Sequence, residues 1–183
     1  MIVGLVGNVE GIEPTFITLN VSGVIYGVHV SLRASALLQE GQEARLYTTC
    51  IFKEDAHDLY GFLQPEERAL FERLLKINGV GARVALSVLS LYGAPEFGAL
   101  LKAHDLRGLQ KVPGVGKKLA GKIMLDLEGY LAFGIAPNPH ATEAALALES
   151  LGFKSDVVHK VCAGLPAGLN TQEIIKQALQ QLR

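Results

Sequence analysis

Over the first sixty residues, apolar and often β-branched side chains alternate with polar ones, the pattern of half-buried strands. Met1–Val9 reads as a strand, with a turn expected over Asn8 to Glu13. Thr15–Val21 is a second strand, with Ile17, Leu19 and Val21 on one face and Phe16, Thr18 and Asn20 on the other. Ser22-Gly23 is a two-residue hairpin signal leading into Val24–Val30. Ser31–Leu38 reads as one short helix. Ala44–Phe52 and Leu59–Leu63 are the last strands, around a tip at Lys53-Glu54-Asp55-Ala56. Five short strands leave unpaired edges unless the sheet closes, so a small barrel is expected.

From residue 63 the apolar spacing changes to three and four. Pro65 opens a helix with Glu66 and Glu67 in its first turn, and Leu70, Phe71, Leu74, Leu75 and Ile77 form its apolar stripe. It stops at Asn78-Gly79-Val80-Gly81, and a second helix runs from about Ala82 to Leu91. After Tyr92-Gly93-Ala94-Pro95 come short helices near Glu96–Ala103 and Asp105–Lys111, then Pro113-Gly114-Val115-Gly116 and a long helix to about Leu131. The two prolines in the stretch from Gly134 to His140 mark a semi-stiff linker. Thr142 then reads as the N-cap of the first of three short helices, which Gly152 ends. Ser155–Ala163 and Thr171–Leu182 are the other two. The expected fold class is a multidomain α+β chain: a barrel over 1–62, a helical domain over 63–133, a linker over 134–141 and a three-helix domain over 142–183.

One feature repeats. Leu75-Lys76-Ile77-Asn78-Gly79-Val80-Gly81-Ala82-Arg83-Val84-Ala85 aligns with Gln110-Lys111-Val112-Pro113-Gly114-Val115-Gly116-Lys117-Lys118-Leu119-Ala120 at a constant offset of 35 residues. Each copy is helix, Gly-Val-Gly, helix. The glycines admit a positive φ and carry no side-chain bulk. Val80 and Val115 are placed to plug each turn into the core. The free N–H groups of the following helix would point outward and favour an anion such as phosphate. Arg83 in one copy, and Lys117 and Lys118 in the other, add positive charge beside the turn. A tight helix–helix connection explains one copy, but not two in register, each followed by basic residues.

Charge at first argues the other way. The chain holds 17 Lys and Arg against 18 Asp and Glu, a net charge of −1, whereas nucleic-acid-binding domains are typically basic. The distribution reverses that argument. Residues 1–62 hold 3 basic and 7 acidic side chains, residues 63–131 hold 10 and 7, and residues 132–183 hold 4 and 4. An acidic barrel therefore precedes a basic helical segment.

Other chemistries find little support. Gly116-Lys117-Lys118 lacks the upstream Gly and the Ser or Thr of a P-loop. Neither Gly-Val-Gly follows a strand or carries a dinucleotide fingerprint's third Gly. Cys50 and Cys162 have no CxxC spacing, which fits reduced thiols. His29, His57, His104, His140 and His159 lack HxxxH or HExxH spacing, and no nucleophile–base motif surrounds any Ser or Cys. No catalytic residue, metal site or cofactor is expected. A metal site at Glu54, Asp55, His57 and Asp58 would lack a second ligand cluster. No apolar run reaches the length of a membrane span, and Met1-Ile2-Val3-Gly4-Leu5 lacks a basic n-region, so a membrane-free, cytoplasmic setting is expected. A glycosylase would want one hairpin on a larger helical scaffold, and a nuclease clustered carboxylates. A general single-strand binder would want aromatic rings on the barrel face. Phe16, Tyr26, Tyr47, Phe52, Tyr60 and Phe62 mostly read as core or strand pairs.

The repeated pairs look like helix-hairpin-helix motifs, which grip duplex backbone without reading sequence. A barrel, two such motifs, a linker and a small helical domain resemble the RuvA family of Holliday-junction branch-migration proteins. Glu54-Asp55-Ala56-His57-Asp58-Leu59-Tyr60-Gly61-Phe62 resembles the family's Glu-Asp-Ala…Leu-Tyr-Gly-Phe signature. Gly23-Val24-Ile25-Tyr26-Gly27-Val28 resembles one of its strands, with Ile25 where Gly is usual. The stretch from Ala144 to Phe153 resembles its last domain. The linker is shorter than in many members.

The resemblance implies an OB-like barrel and backbone contacts from Gly79, Val80, Gly81, Arg83, Gly114, Val115, Gly116, Lys117, Lys118 and Lys122. It also implies an acidic pin at Glu54 and Asp55. The implied assembly is a homotetramer, or an octamer of two tetramers, holding a four-way junction open in recombination, repair and the SOS response. The chain itself would hydrolyse nothing. Its C-terminal domain, through Leu148, Leu151 and Phe153, would dock the hexameric ATPase RuvB, and the junction resolvase RuvC is a further implied partner.

Overall fold

The computed structural model describes all residues except 55, 133–138, 155, 156, 159, 160, 163, 166–168 and 183. The strands are β1 (Gly4–Glu13), β2 (Phe16–Val21), β3 (Val24–His29), β4 (Glu43–Phe52) and β5 (His57–Phe62), with helix α1 (Leu32–Leu37) between β3 and β4. They form a closed barrel in the order β1-β2-β3-β5-β4. Closure comes from β1, which pairs with β4 from Gly4↔Tyr47 to Asn8↔Glu43 and with β2 from Asn8↔Asn20 to Glu13↔Phe16.

The turn expected over Asn8 to Glu13 is therefore strand. A register shift between Val9 and Gly11 bends β1 from one partner to the other. Glycine allows the strands to approach closely just before this bend: a Cβ at Gly7 would run into the Asn20 carbonyl. The real turn is at Pro14-Thr15. Alternation holds elsewhere, with Ile17, Leu19, Val28 and Leu46 fully buried in the barrel. The β2–β3 hairpin turns at Ser22 and Gly23, both at positive φ (54° and 93°), as a primed turn requires.

Five helices follow: α2 (Pro65–Leu75), α3 (Ala82–Leu91), α4 (Ala94–Lys102), α5 (Leu106–Gln110) and α6 (Lys117–Ala132). Barrel and helices share a core. Phe71 of α2 is fully buried, its ring 5.0 Å from that of Tyr60 and 4.9 Å from that of Phe62. Around this contact, the Glu72 carboxylate accepts from Thr49 Oγ1 at 2.8 Å and from Arg68 Nε at 3.0 Å. The Leu32 amide donates to Ser90 Oγ at 3.0 Å, and Arg33 pairs with Glu96 at 3.2 Å. Residues expected as two domains, 1–62 and 63–133, thus pack as one compact unit, Met1–Leu125, and the division falls within α6.

The second unit, Asp126–Arg183, contains α7 (Pro139–Ser150) and α8 (Thr171–Gln181). Helix α7 begins at Pro139, so Thr142 lies inside it and is not its N-cap. Proline at a first helical position loses no hydrogen bond and is preset in φ. The expected linker therefore ends earlier, and its residues 134–138 lie outside the described ones. Gly152 (φ 93°) ends α7 as expected. Its amide donates to Glu149 O at 2.9 Å and that of Phe153 to Leu148 O at 3.3 Å, the paired bonds of a Schellman cap. Asn170 and Glu173 cap α8 reciprocally, each bond 3.0 Å. Thr171 Oγ1 donates to Glu143 at 2.7 Å, joining α8 to α7. Of the expected helix Ser155–Ala163, the residues Val157, Val158, Val161 and Cys162 are described and helical.

Truncating the shared ring tests this packing. Phe71→Ala should cost about 3–5 kcal/mol and loosen barrel and helices together in a single urea transition. Two separated transitions in the unaltered Met1–Leu125 unit would contradict the common core.

Candidate nucleic-acid interface

The two Gly-Val-Gly turns are superimposable in their bonding. Val80 N–H donates to Ile77 O at 2.9 Å, and Val115 N–H to Val112 O at 3.0 Å. Ala85 N–H donates to Gly81 O at 3.0 Å, and Ala120 N–H to Gly116 O at 2.8 Å. Gly79 and Gly114 have φ of 98° and 87°, the left-handed conformation that lets each chain reverse. Val80 and Val115 are buried and anchor the turns.

The turns also interlock. A Cβ at Gly79 would meet Leu119 Cδ1 at 3.4 Å, and one at Gly114 would meet Val84 Cγ2 at 3.1 Å. Val84 and Leu119 are themselves equivalent under the 35-residue offset. Each hairpin thus rests on the second helix of the other, which gives the pair a local twofold relation.

The second glycine of each turn behaves differently. Gly81 is at φ −95°, ψ 173°, which any residue adopts, and a Cβ at Gly81 or Gly116 would meet nothing within 4 Å. Neither strain nor packing within the chain demands glycine there. Both are exposed, and each starts a helix without a side chain to cap it. By helix geometry the N–H groups of Ala82, Arg83 and Val84 have no partner within α3, and the same holds for the opening of α6. Arg83, Lys117, Lys118 and Lys122 are exposed around these ends, and among the described residues no ion pair engages them. Two bare helix N-termini ringed by free cations suit bound phosphates.

The acidic tip is a projecting ribbon. Ladder pairing of β4 to β1 ends at Gly4↔Tyr47, with Thr48 still bonded to Val3 O at 3.1 Å and Cys50 Sγ to Ile2 O at 3.5 Å, and β5 pairs with β3 only at His29↔Tyr60. Beyond them, Ile51↔Asp58 and Phe52↔His57 pair only with each other. Lys53 N–H closes the loop on Ala56 O at 2.8 Å. Glu54 stands exposed at this tip, and Asp55 lies outside the described residues. Lys53 Nζ bonds Asp58 at 2.8 Å, and this hydrogen bond chiefly holds the Asp58 carboxyl below its usual range. Asp58 is thus neutralised across the ribbon, and the acidity is concentrated at its end.

In the second unit, Leu148 is fully buried in the core with Ala144, Ala145 and Ile174. It has no surface to offer a partner, contrary to its expected role. Leu148 follows the apolar stripe of α7, so the sequence could equally place it inward. Phe153 packs against the same core, and Leu151 is exposed. Leu146, not singled out as a docking residue, is exposed as well.

Three family models match in order along the chain: the RuvA N-terminal domain over residues 1–61, the SAM-like helix-hairpin-helix tandem over 71–128 and the RuvA C-terminal domain over 139–183. A Helicobacter pylori (strain G27) protein named Holliday junction branch migration complex subunit RuvA is 53% identical over 183 residues, covering all of both chains. The chain belongs to the RuvA family. Proteins of the same name from Wolinella succinogenes and Sulfurimonas denitrificans are 46% and 41% identical over all of this chain and 98% and 99% of theirs. The RuvA architecture accounts for the closed barrel, the tandem hairpins and the terminal helices. No single helix among the described residues is long and apolar enough to cross a membrane.

The two kinds of glycine separate by substitution. Gly79→Ala or Gly114→Ala should destabilise the chain by about 1–2 kcal/mol through left-handed strain. Gly81→Ser and Gly116→Ser, which add a Cβ but keep a capping group at the helix start, should change stability by less than about 0.5 kcal/mol. Thermal melts compare them, and equal losses at all four sites would contradict the distinction.

Proposed function

We propose that this chain is the DNA-binding subunit of a branch-migration complex, which recognises four-way junctions and holds them open without cutting them. The observation that carries the reading is the pair of glycines, Gly81 and Gly116, that the fold does not require. They keep two helix N-termini bare so that a ligand backbone can reach the amides. Gly79, Val80, Gly114 and Val115 shape the turns, and Arg83, Lys117, Lys118 and Lys122 supply charge. Contacts confined to phosphates position a duplex without reading bases.

Shape selectivity then comes from the acidic ribbon. Glu54 and Asp55, repeated around the centre of a homotetramer or of an octamer of two tetramers, would repel phosphates at the crossover and help part the strands. The subunit carries no motor of its own in this reading. Its C-terminal unit recruits the hexameric ATPase RuvB, with Leu151 the exposed member of the expected docking set. RuvC would resolve the junction so held. The setting is recombination and repair, with the SOS response, in the cytoplasm.

A gel-shift comparison of four-way junction, duplex and single strand, with magnesium and without ATP, tests the reading. Tight junction preference without cleavage is expected. Equal affinity for all three, or cleavage, would overturn it. Lys117→Gln with Lys118→Gln should weaken binding uniformly and flatten the slope of log K against log salt by about 0.9 per lost phosphate contact. An unchanged slope would remove these lysines from the interface. Glu54→Gln with Asp55→Asn should keep or raise duplex affinity while junction selectivity falls, and collapse of duplex binding would contradict the pin.

A further inference from the structure

The aromatic ring on the last strand pair before the acidic tip is out of place. Alternation puts Phe52 on the inward face of β4 with Ala44, Leu46 and Thr48, and its cross-strand partner His57 on the same face. Phe52 forms a strand pair with His57, but the ribbon has outrun the barrel there and the residue is 63% exposed. It is nonetheless held: the exposed His57 packs its ring edge-on, with centroids 5.0 Å apart and planes at 74°. The result is an oriented, exposed aromatic face two residues from Glu54.

We propose that Phe52, backed by His57, is a stacking platform for a nucleobase at the junction crossover. The inference rests on the junction-binding reading above. Where four duplex arms part, base faces are uncovered, and an apolar ring can stack on any base without reading sequence. That matches an interface whose other contacts are to phosphates. The division of labour is electrostatic: the carboxylate of Glu54 turns phosphates away, whereas a neutral base meets no such repulsion. A protein surface is a poorer occupant, since covering the ring would draw Glu54 and the Lys53–Asp58 pair into an interface centre, where charge is disfavoured.

The test uses the full chain and four-way junctions carrying 5-iododeoxyuridine either at the crossover or midway along an arm. They are irradiated in the near ultraviolet, and crosslinked peptides are mapped by mass spectrometry. Crosslinks to Phe52 or His57 from the crossover base only are expected. Phe52→Leu should lower junction affinity about tenfold, with duplex affinity and melting midpoint unchanged, and Phe52→Trp should restore it. Intact junction preference without such crosslinks, and with Phe52→Leu binding normally, would overturn the platform but spare the junction reading. A Phe52→Leu chain that changes oligomeric state on size exclusion would make the ring a subunit contact and likewise overturn it. No junction preference in the unaltered chain would remove the reading and the platform together.

Discussion

A helix can present its backbone to a ligand only where no side chain intervenes. This constraint organises the helical half of the chain. It explains why a turn that needs one left-handed residue contains two glycines. Gly79 and Gly114 serve the turn, while Gly81 and Gly116 serve the surface. It also explains the buried valine between them, since a turn stripped of side chains must be anchored from within. Interlocking of each hairpin with the other's second helix then fixes two bare N-termini at a set spacing. In the proposed function that spacing is what fits the pair to nearby phosphates.

The acidic ribbon belongs to the same compact unit. Phe71 sits between rings of Tyr60 and Phe62, so the last barrel strand and the first helix cannot shift independently without opening a cavity. The exposed pair Arg33–Glu96 adds little energy but orients the joint, and the half-buried Glu72, held by Arg68 within α2, bonds Thr49 across it. In the proposed function, attraction and repulsion toward DNA are thereby held in one unit. A near-neutral net charge conceals this because it averages an acidic barrel with a basic helical segment.

Much of this was legible in the sequence because it was periodic. The 35-residue repeat gave both hairpins, and alternation gave the interior face of β2. The failures share a cause: local pattern is silent on where an element ends in space. The stretch from Asn8 to Glu13 read as a turn, yet it holds the bend by which β1 joins two partners. Phe52 obeys the inward alternation of β4 but lies past the barrel's end, and alternation alone does not tell a core position from an exposed strand pair. Leu148 and Leu151 looked alike as apolar helix residues, and only the packing of α7 separates buried from exposed. Thr142 was a good cap in isolation, but Pro139 had already started the helix.

Hydrogen–deuterium exchange tests the central claim most directly, because the claim concerns amides. Amides of Gly81–Val84 and of Gly116–Leu119 should both exchange more slowly when a four-way junction is bound without ATP, and to a similar degree. Slowing confined to one hairpin, or a bound junction that leaves both at the free rate, would contradict the account.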